Sequence, residues 1–308
     1  MKFLITGGAG FIGSTIVKKL ISQNHDVVAI DSFDSTLYPN SLKLIRSQIL
    51  KSCGVNVISM DLSSKAARQL YPDFDVVINE AGLPGQLVSW NCFDSYMNSN
   101  LKGVQAILES IKNSNTRLIQ ASTSSVYGKS AIGDENQRKA PCSPYGVTKL
   151  AAENLIEAYA QNYKLNYSIL RYFSVFGPSQ RPDMAIQLFL QKIRNGVPIE
   201  VTGDGTQIRD ITFVDDIVDG TILASTLDSE KSCFNLSGGN IYSVNEILKT
   251  CFQVVGKKVP IKYIDRPKGD QDSTIGDSTL AIQSLGFRPK VNIEEGITAQ
   301  YEYLCRYT

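Results

Sequence analysis

Tyr145 and Lys149 stand four residues apart in Ser143-Pro144-Tyr145-Gly146-Val147-Thr148-Lys149, so on a helix they share one face. An ammonium beside a phenol favours the phenolate, and a phenolate near neutral pH can take a proton from a substrate hydroxyl. Upstream, Ser122-Thr123-Ser124-Ser125 ends an apolar run in a cluster of hydroxyls. Taken alone, a Tyr-x-x-x-Lys pair is common and reads equally well as a surface contact. Its weight comes from what the rest of the chain lacks. The 308 residues contain one histidine, His25, in the polar stretch Ser22-Gln23-Asn24-His25-Asp26, which reads as a solvated turn between a helix and a strand. Ser-His-Asp triads, Cys-His proteases and multi-histidine zinc sites each need a histidine on a structured element. Proton chemistry therefore falls to Tyr, Lys, Cys or a carboxylate, and no metal is expected.

A second set of residues is built for phosphate. Thr6-Gly7-Gly8-Ala9-Gly10-Phe11-Ile12-Gly13 follows an apolar run and opens an amphipathic one. Glycines at 7, 10 and 13 allow the tight turn and let a pyrophosphate approach the helix N-terminus, where unpaired N–H groups and the dipole attract it. Asp31 ends the next apolar run; an acid there accepts hydrogen bonds from a ribose diol and repels a 2′-phosphate, which favours NAD over NADP. Asp61, in Met60-Asp61-Leu62, is placed to meet the adenine amine or, as an alternative, to cap the following helix in competition with Ser63 or Ser64.

Positioning these residues requires alternating elements. Residues 3–5, 27–30, 55–58, 76–78 and 118–121 read as buried strands, and 12–23, 63–70, 92–113 and 144–163 as helices between them. Strand-helix alternation predicts an α/β fold with a Rossmann-like, doubly wound parallel sheet. From about residue 172, Gly, Pro and Asp become frequent and helices are expected at 184–195, 215–226, 243–254 and 293–304. This predicts a nucleotide-binding domain at 1–172, with 212–236 returning to it, and a smaller α/β lobe at 173–211 and 237–308. The ligand crevice belongs between them, at the carboxyl ends of the strands. Apolar residues at 43% and a net charge of +1 exclude disorder and give no chain-wide attraction to nucleic acid or anionic membrane. The six cysteines form no C-x-x-C pair, and no apolar run approaches membrane-spanning length; a reduced, cytoplasmic protein is expected.

The ordered set TGGAGFIG, SVYG (125–128), SPYGVTK, RYFSVFGP (171–178), RDITFVDD (209–216) and LGFRP (285–289) resembles the NAD-dependent epimerase/dehydratase family of extended short-chain dehydrogenases/reductases, and within it the UDP-sugar 4-epimerases, over essentially the whole length. The resemblance implies Tyr145 as base, Thr123 as the catalytic hydroxyl and Lys149 on the nicotinamide ribose. Gly7, Gly10, Phe11, Ile12, Gly13, Asp31, Asp61, Leu62, Ala81 and Lys149 would hold NAD. Gly85, Gln86, Ser124, Ser125, Ser174, Arg181, Arg209, Arg266 and Asp270 would hold a UDP-sugar, with Ser89 beside them. It further implies a homodimer through 92–113 and 144–163; Met97, Leu101, Val104, Leu108 and Ile111 form a broad apolar stripe there that fits a partner subunit or, at least as well, packing inside one chain.

The reaction follows from what is missing. Family dehydratases carry an Asp-Glu pair after the catalytic Thr and decarboxylases a Glu at the second position; here Ser124 and Ser125 stand there. That leaves epimerisation: oxidation at C4, rotation of the 4-keto sugar and reduction on the opposite face. Ser174 in RYFS and Arg181 in Arg181-Pro182-Asp183-Met184-Ala185 resemble the uronate 4-epimerases more than the Asn-bearing glucose/galactose enzymes, and Arg can grip a C6 carboxylate with two hydrogen bonds. The expected reaction is UDP-glucuronate/UDP-galacturonate interconversion, with the UDP-glucose/UDP-galactose or N-acetylhexosamine reaction as the alternative. A net oxidoreductase, a dehydratase or a non-catalytic NAD sensor ranks lower, since Thr123, Tyr145 and Lys149 are all present. Two departures from the family stand out: Asp272 where relatives often have Arg, and Asn79-Glu80-Ala81-Gly82 in place of His-Leu-Ala-Ala. A buried Glu80 is costly unless it is paired or turned outward.

Overall fold

The computed structural model describes residues 1–227 and 231–307. Residues 228–230 and Thr308, which fall in the expected ranges 212–236 and 237–308, lie outside the described residues. The large sheet is formed by β1 (Lys2–Thr6), β2 (Asp26–Asp31), β3 (Val57–Ser59), β4 (Val76–Asn79), β5 (Arg117–Thr123), β7 (Tyr167–Tyr172) and β11 (Lys231–Leu236). Their order is β11-β7-β5-β4-β1-β2-β3, and every neighbouring pair is parallel. The fold is thus the Rossmann-like α/β sheet that the alternation predicts. Because both faces are covered, the central strands read as unbroken apolar runs: Phe3, Leu4, Ile5, Val76, Val77 and Ile78 are all fully buried.

A second sheet has the order β12 (Asn240–Ser243), β10 (Ile208–Phe213), β14 (Ser273–Gly276) and β6 (Ser130–Gly133), with β8 (Val175–Phe176) also on β10; β9 (Ile199–Thr202) and β13 (Ile261–Ile264) pair separately. β6 comes from the stretch assigned to the nucleotide domain, yet it pairs with β14. Gly128 has φ 94°, and this turn swings the chain out of the large sheet directly after the hydroxyl cluster.

Helices α1 (Phe11–Ser22), α2 (Ser41–Ser52), α3 (Lys65–Leu70), α4 (Phe93–Tyr96), α5 (Gly103–Ile111) and α6 (Pro144–Asn162) belong to the first half. They are followed by α7 (Ala185–Asn195), α8 (Val214–Ser225), α9 (Val244–Val255), α10 (Thr279–Leu285) and α11 (Ile293–Tyr307). α2 lies outside the elements read from the sequence; of its residues only Arg46 and Leu50 are buried, which leaves too thin a stripe to signal a helix. The expected single helix 92–113 is interrupted by a π-helical segment, Met97–Lys102, that joins α4 to α5. The wider turn rotates Asn100 inward, where it is 1% exposed. Its side chain donates to Leu83 O at 3.0 Å and Thr148 Oγ1 at 3.1 Å and accepts from Leu83 N at 2.8 Å, tying α6 to the loop after β4. No helix among the described residues is long and apolar enough to cross a membrane.

Candidate active site

α6 begins where the local chemistry dictates. Ser143 caps it by accepting from Gly146 N at 3.2 Å, and Pro144 occupies the first turn, where a missing N–H costs nothing. This start fixes the phase of the helix, so that Tyr145 and Lys149 both face the cleft at the end of β5. Thr123, the last residue of β5, uses Oγ1 to accept from Ser125 N at 3.1 Å and stands near enough to the Tyr145 phenol to favour its ionised form. Tyr96 packs edge-on against the Tyr145 ring, centroids 6.2 Å apart. Lys149 is 7% exposed, and its Nζ donates to Ala121 O at 2.5 Å.

Burial pushes the Tyr145 phenol up, and the groups opposing that rise are Thr123 and Arg181, not Lys149. Lys149 is itself depressed to about 8 by desolvation. The ammonium donates to the Ala121 carbonyl.

The glycine loop closes as its spacing requires. Gly7 has φ 67° and its carbonyl accepts from Gly10 N at 2.8 Å. A Cβ on Gly13 would sit 2.3 Å from Gly7 O, so the loop closes onto the helix only without a side chain there. Asp31 is 5% exposed; it accepts from Ala9 N at 3.1 Å and Phe33 N at 2.8 Å and lies 3.2 Å from Lys43 Nζ.

Gly7, Gly10, Phe11, Ile12, Gly13, Asp31, Leu62 and Ala81 line the same cleft as Gly85, Gln86, Ser124, Ser125, Ser174, Arg181, Arg209 and Asp270, together with Thr123, Tyr145 and Lys149.

Three expected residues are placed elsewhere. Asp61 is exposed and turns back on its own loop, accepting from Ser63 N at 2.8 Å and Ser63 Oγ at 2.5 Å, while Ser64 caps α3. Its neighbours Met60 and Leu62 face the cleft instead. Arg266 lies outside the lining because Asp270 and Asp272 hold its guanidinium at 3.1 and 2.6 Å. Ser89 is buried and donates to Gln86 O at 2.6 Å. His25 lies between α1 and β2 but is half-buried rather than solvated, its ring edge-on to Phe3 at 5.0 Å. Arg209 pairs with Asp270 at 2.9 Å and not with Asp210, which turns inward to Ser237 and Gly276 N.

Sequence reasoning missed Gln271. It accepts from Gln86 Nε2 at 3.0 Å and donates to Gly128 O at 2.7 Å, bridging the loop after β4 to the start of β14. No local pattern marks a glutamine whose partner is 185 residues away. Arg46 was likewise unseen: at 2% exposure it donates to Ala9 O at 3.3 Å and Ser179 O at 2.7 Å, bracing the glycine loop.

The model of the NAD dependent epimerase/dehydratase family matches residues 3–237. The chain belongs to the NAD-dependent epimerase/dehydratase family. It is 36% identical to the UDP-glucuronate 4-epimerase of Thermodesulfobacterium geofontis (strain OPF15) over 303 residues, covering 96% of this chain and 93% of that one. It is 34% identical to the uncharacterized UDP-glucose epimerase YtcB of Bacillus subtilis (strain 168), covering 99% and 98%. Among solved structures, the Bacillus cereus UDP-glucuronic acid 4-epimerase in complex with UDP-glucuronic acid and NAD superposes with a TM-score of 0.95 at 35% identity, over 100% of both chains.

The residues of this family member fit NAD. Gly7, Gly10 and Gly13 leave the space over the α1 N-terminus that a pyrophosphate needs. Asp31 stands at the end of β2 with its carboxylate in the cleft. Bound there, NAD supplies the reversible oxidation of a carbinol carbon. Gly13→Ala pushes a methyl into the Gly7 carbonyl. It is expected to weaken dinucleotide binding ~10- to 100-fold, the scale of 1–3 kcal/mol of overpacking, with the fold retained. Calorimetric titration of the variant with NAD measures this, and affinity within twofold of the parent would contradict it.

Proposed function

We propose that the chain is an NAD-dependent UDP-sugar 4-epimerase that interconverts UDP-glucuronate and UDP-galacturonate. The observation that carries the reading is Arg181. Its side chain is 12% exposed in the cleft and near enough to Tyr145 to oppose the rise of its phenol. A guanidinium there matches a planar C6 carboxylate. In this structure its fork holds Asp183, Nε to Oδ1 at 3.0 Å and Nη2 to Oδ2 at 2.6 Å. Asp183 is 36% exposed, so a substrate carboxylate exchanges with a group that water receives readily. Opposite, Gln86 Nε2 donates to Ser125 Oγ at 3.1 Å. Ser124, Ser125 and Gln86 are uncharged, so this wall offers no carboxylate for removing water or for acting at C5. That matters for a 4-keto uronate, which as a β-keto acid loses CO2 unless its carboxylate is held away from the cleavage geometry.

In this reading Tyr145 takes the proton of the C4 hydroxyl as that carbon is oxidised, with Thr123 orienting the hydroxyl. It returns the proton after the 4-keto sugar has turned its other face. Arg209 lines the same cleft, within reach of the diphosphate once it shares Asp270. Asp183 also favours a second reading: a neutral UDP-glucose would leave the Arg181–Asp183 pair undisturbed. Incubation with UDP-glucuronate, UDP-glucose and UDP-N-acetylglucosamine separately, following C4 inversion by NMR, decides between them. Arg181→Ala is expected to raise KM for UDP-glucuronate ~10- to 100-fold, the worth of hydrogen bonds to a charged group, and to leave UDP-glucose within about threefold. An equal effect on both substrates would favour the neutral hexose.

A homodimer through 92–113 and 144–163 and a cytoplasmic site belong to the same reading. Phe93 and Val147 are 44% and 47% exposed on those helices, and all six cysteines are free thiols. Sedimentation equilibrium tests the dimer.

A further inference from the structure

Three polar side chains from distant parts of the chain meet in the cleft: Gln86 after β4, Ser125 after β5 and Gln271 just before β14. Each is held at its backbone. Gly85 has φ 102° and its carbonyl accepts from Tyr96 Oη at 3.0 Å, while the Gln86 carbonyl accepts from Ser89 Oγ at 2.6 Å. The Gln271 carbonyl accepts from Arg266 Nη2 at 2.8 Å, and the next residue, Asp272, donates its N–H to Lys129 O at 2.8 Å. Ser125 N donates to Thr123 Oγ1 at 3.1 Å. Arg266, expected on the substrate, thus supports the segment that carries Gln271.

The three side chains form a relay with one possible direction. The Gly128 carbonyl accepts and never donates, so Gln271 presents Nε2 to it, at 2.7 Å. That leaves Gln271 Oε1 for Gln86, which answers with its own Nε2 at 3.0 Å. The same nitrogen donates to Ser125 Oγ at 3.1 Å. Gln86 Oε1 is buried without a hydrogen-bond partner among the described residues. An unpaired buried acceptor is costly, yet turning the Gln86 amide over would set its oxygen against Gln271 Oε1. The polarity set by a backbone carbonyl therefore reaches Ser125. Ser125 is 5% exposed, accepts from Gln86 and donates to no side chain or carbonyl among the described residues. Its proton is left for whatever enters the cleft.

We propose that Gln271 is a positioning residue: through Gln86 it fixes Ser125 as a hydrogen-bond donor to the sugar, and so favours a C6 group that only accepts, a carboxylate. This rests on the uronate reading above and names Ser125, with Arg181, as a donor to that carboxylate. A carboxylate has no proton to give, so it gains from Ser125 only while Ser125 donates. A hydroxymethyl group donates or accepts, and meets Ser125 in either state. Without Gln271 the Gln86 amide is free to turn, and its oxygen competes with the substrate for the Ser125 proton.

The affinity of the NAD-loaded protein for UDP-glucuronate and for UDP-glucose is measured by calorimetry in the parent, Gln271→Leu, Ser125→Ala and the double variant. Gln271→Leu is expected to lower the ratio of the two affinities ~10-fold in disfavour of UDP-glucuronate, the low end of what a hydrogen bond to a charged group is worth. In the Ser125→Ala background the same change is expected to add no more than about twofold, because the proton it controls is gone. An unchanged ratio, or a full tenfold loss on top of Ser125→Ala, overturns the proposal. If Gln271→Leu does not fold, Gln271→Met takes its place. The relay is also read without any sugar. In protein labelled with 15N at glutamine, the Gln86 side-chain amide, assigned by its loss in Gln86→Leu, is expected to show an NMR cross-peak to the Ser125 Cβ protons that disappears in Gln271→Leu. A cross-peak that persists in the folded variant overturns the proposal whatever the substrate. A parent that binds no UDP-sugar rejects the epimerase reading instead, and the relay then stands or falls on that cross-peak.

Discussion

Tyr145→Phe lowers kcat by ~10²–10⁴, the worth of a positioned general base, while NAD is still bound. The variant keeps the ring, its edge-on packing on Tyr96 and the helix start at Ser143, so the cleft is unchanged in shape. What it loses is the oxygen that Thr123 and Arg181 favour in its charged form. With His25 remote from the cleft and half-buried against Phe3, no imidazole can take over. Burial raises the Tyr145 phenol, so the parent's rate rises with pH as the base ionises, until Lys149 loses its proton near 8. The check is C4 inversion by NMR on parent and variant, with NAD binding measured by calorimetry. Turnover within tenfold of the parent would remove Tyr145 from the base role.

Arg171→Met is expected to cost about 3–5 kcal/mol of stability, because it leaves a buried carboxylate without its cation. Arg171 and Glu153 are 2% and 1% exposed and meet through two hydrogen bonds. Arg171 also donates to Tyr127 Oη at 2.8 Å, and Tyr127 in turn donates to Asn235 at 2.7 Å. The network joins β7, α6, the SVYG turn and β11 under the catalytic floor. Glu153 lies one helical turn beyond Lys149, so the lesion reaches the site as well as the fold. Removing both charges, in Arg171→Met with Glu153→Leu, is expected to restore most of the loss, since an apolar pair avoids the desolvation of either ion. Urea unfolding of the two variants measures the difference. A single variant within 1 kcal/mol of the parent would show that Glu153 finds other compensation.

Features governed by the reach of one element were legible in the chain. The glycine loop, Asp31 at the end of β2 and the shared face of Tyr145 and Lys149 depend on spacing along a single turn, strand or helix, and the buried strands are marked by their apolar composition. Family motifs added the roles of these residues and most of the cleft's polar lining, including Arg181. Other features depend on which segments meet across the sheet, and spacing along the chain carries no record of that. Asp61 was open between an adenine contact and a helix cap, and its carboxylate accepts from Ser63 in an Asx-type turn while Ser64 caps α3. Arg209 on β10 meets Asp270, 61 residues away, while the adjacent Asp210 turns to the other face of the strand. Burial raises the Tyr145 phenol and lowers Lys149, a direction that spacing along α6 does not carry. Glu80 appeared as an unexplained acid in an apolar position. Its partner is Tyr172, and only folding sets the two together, because desolvation and competition for partners are properties of the packed site.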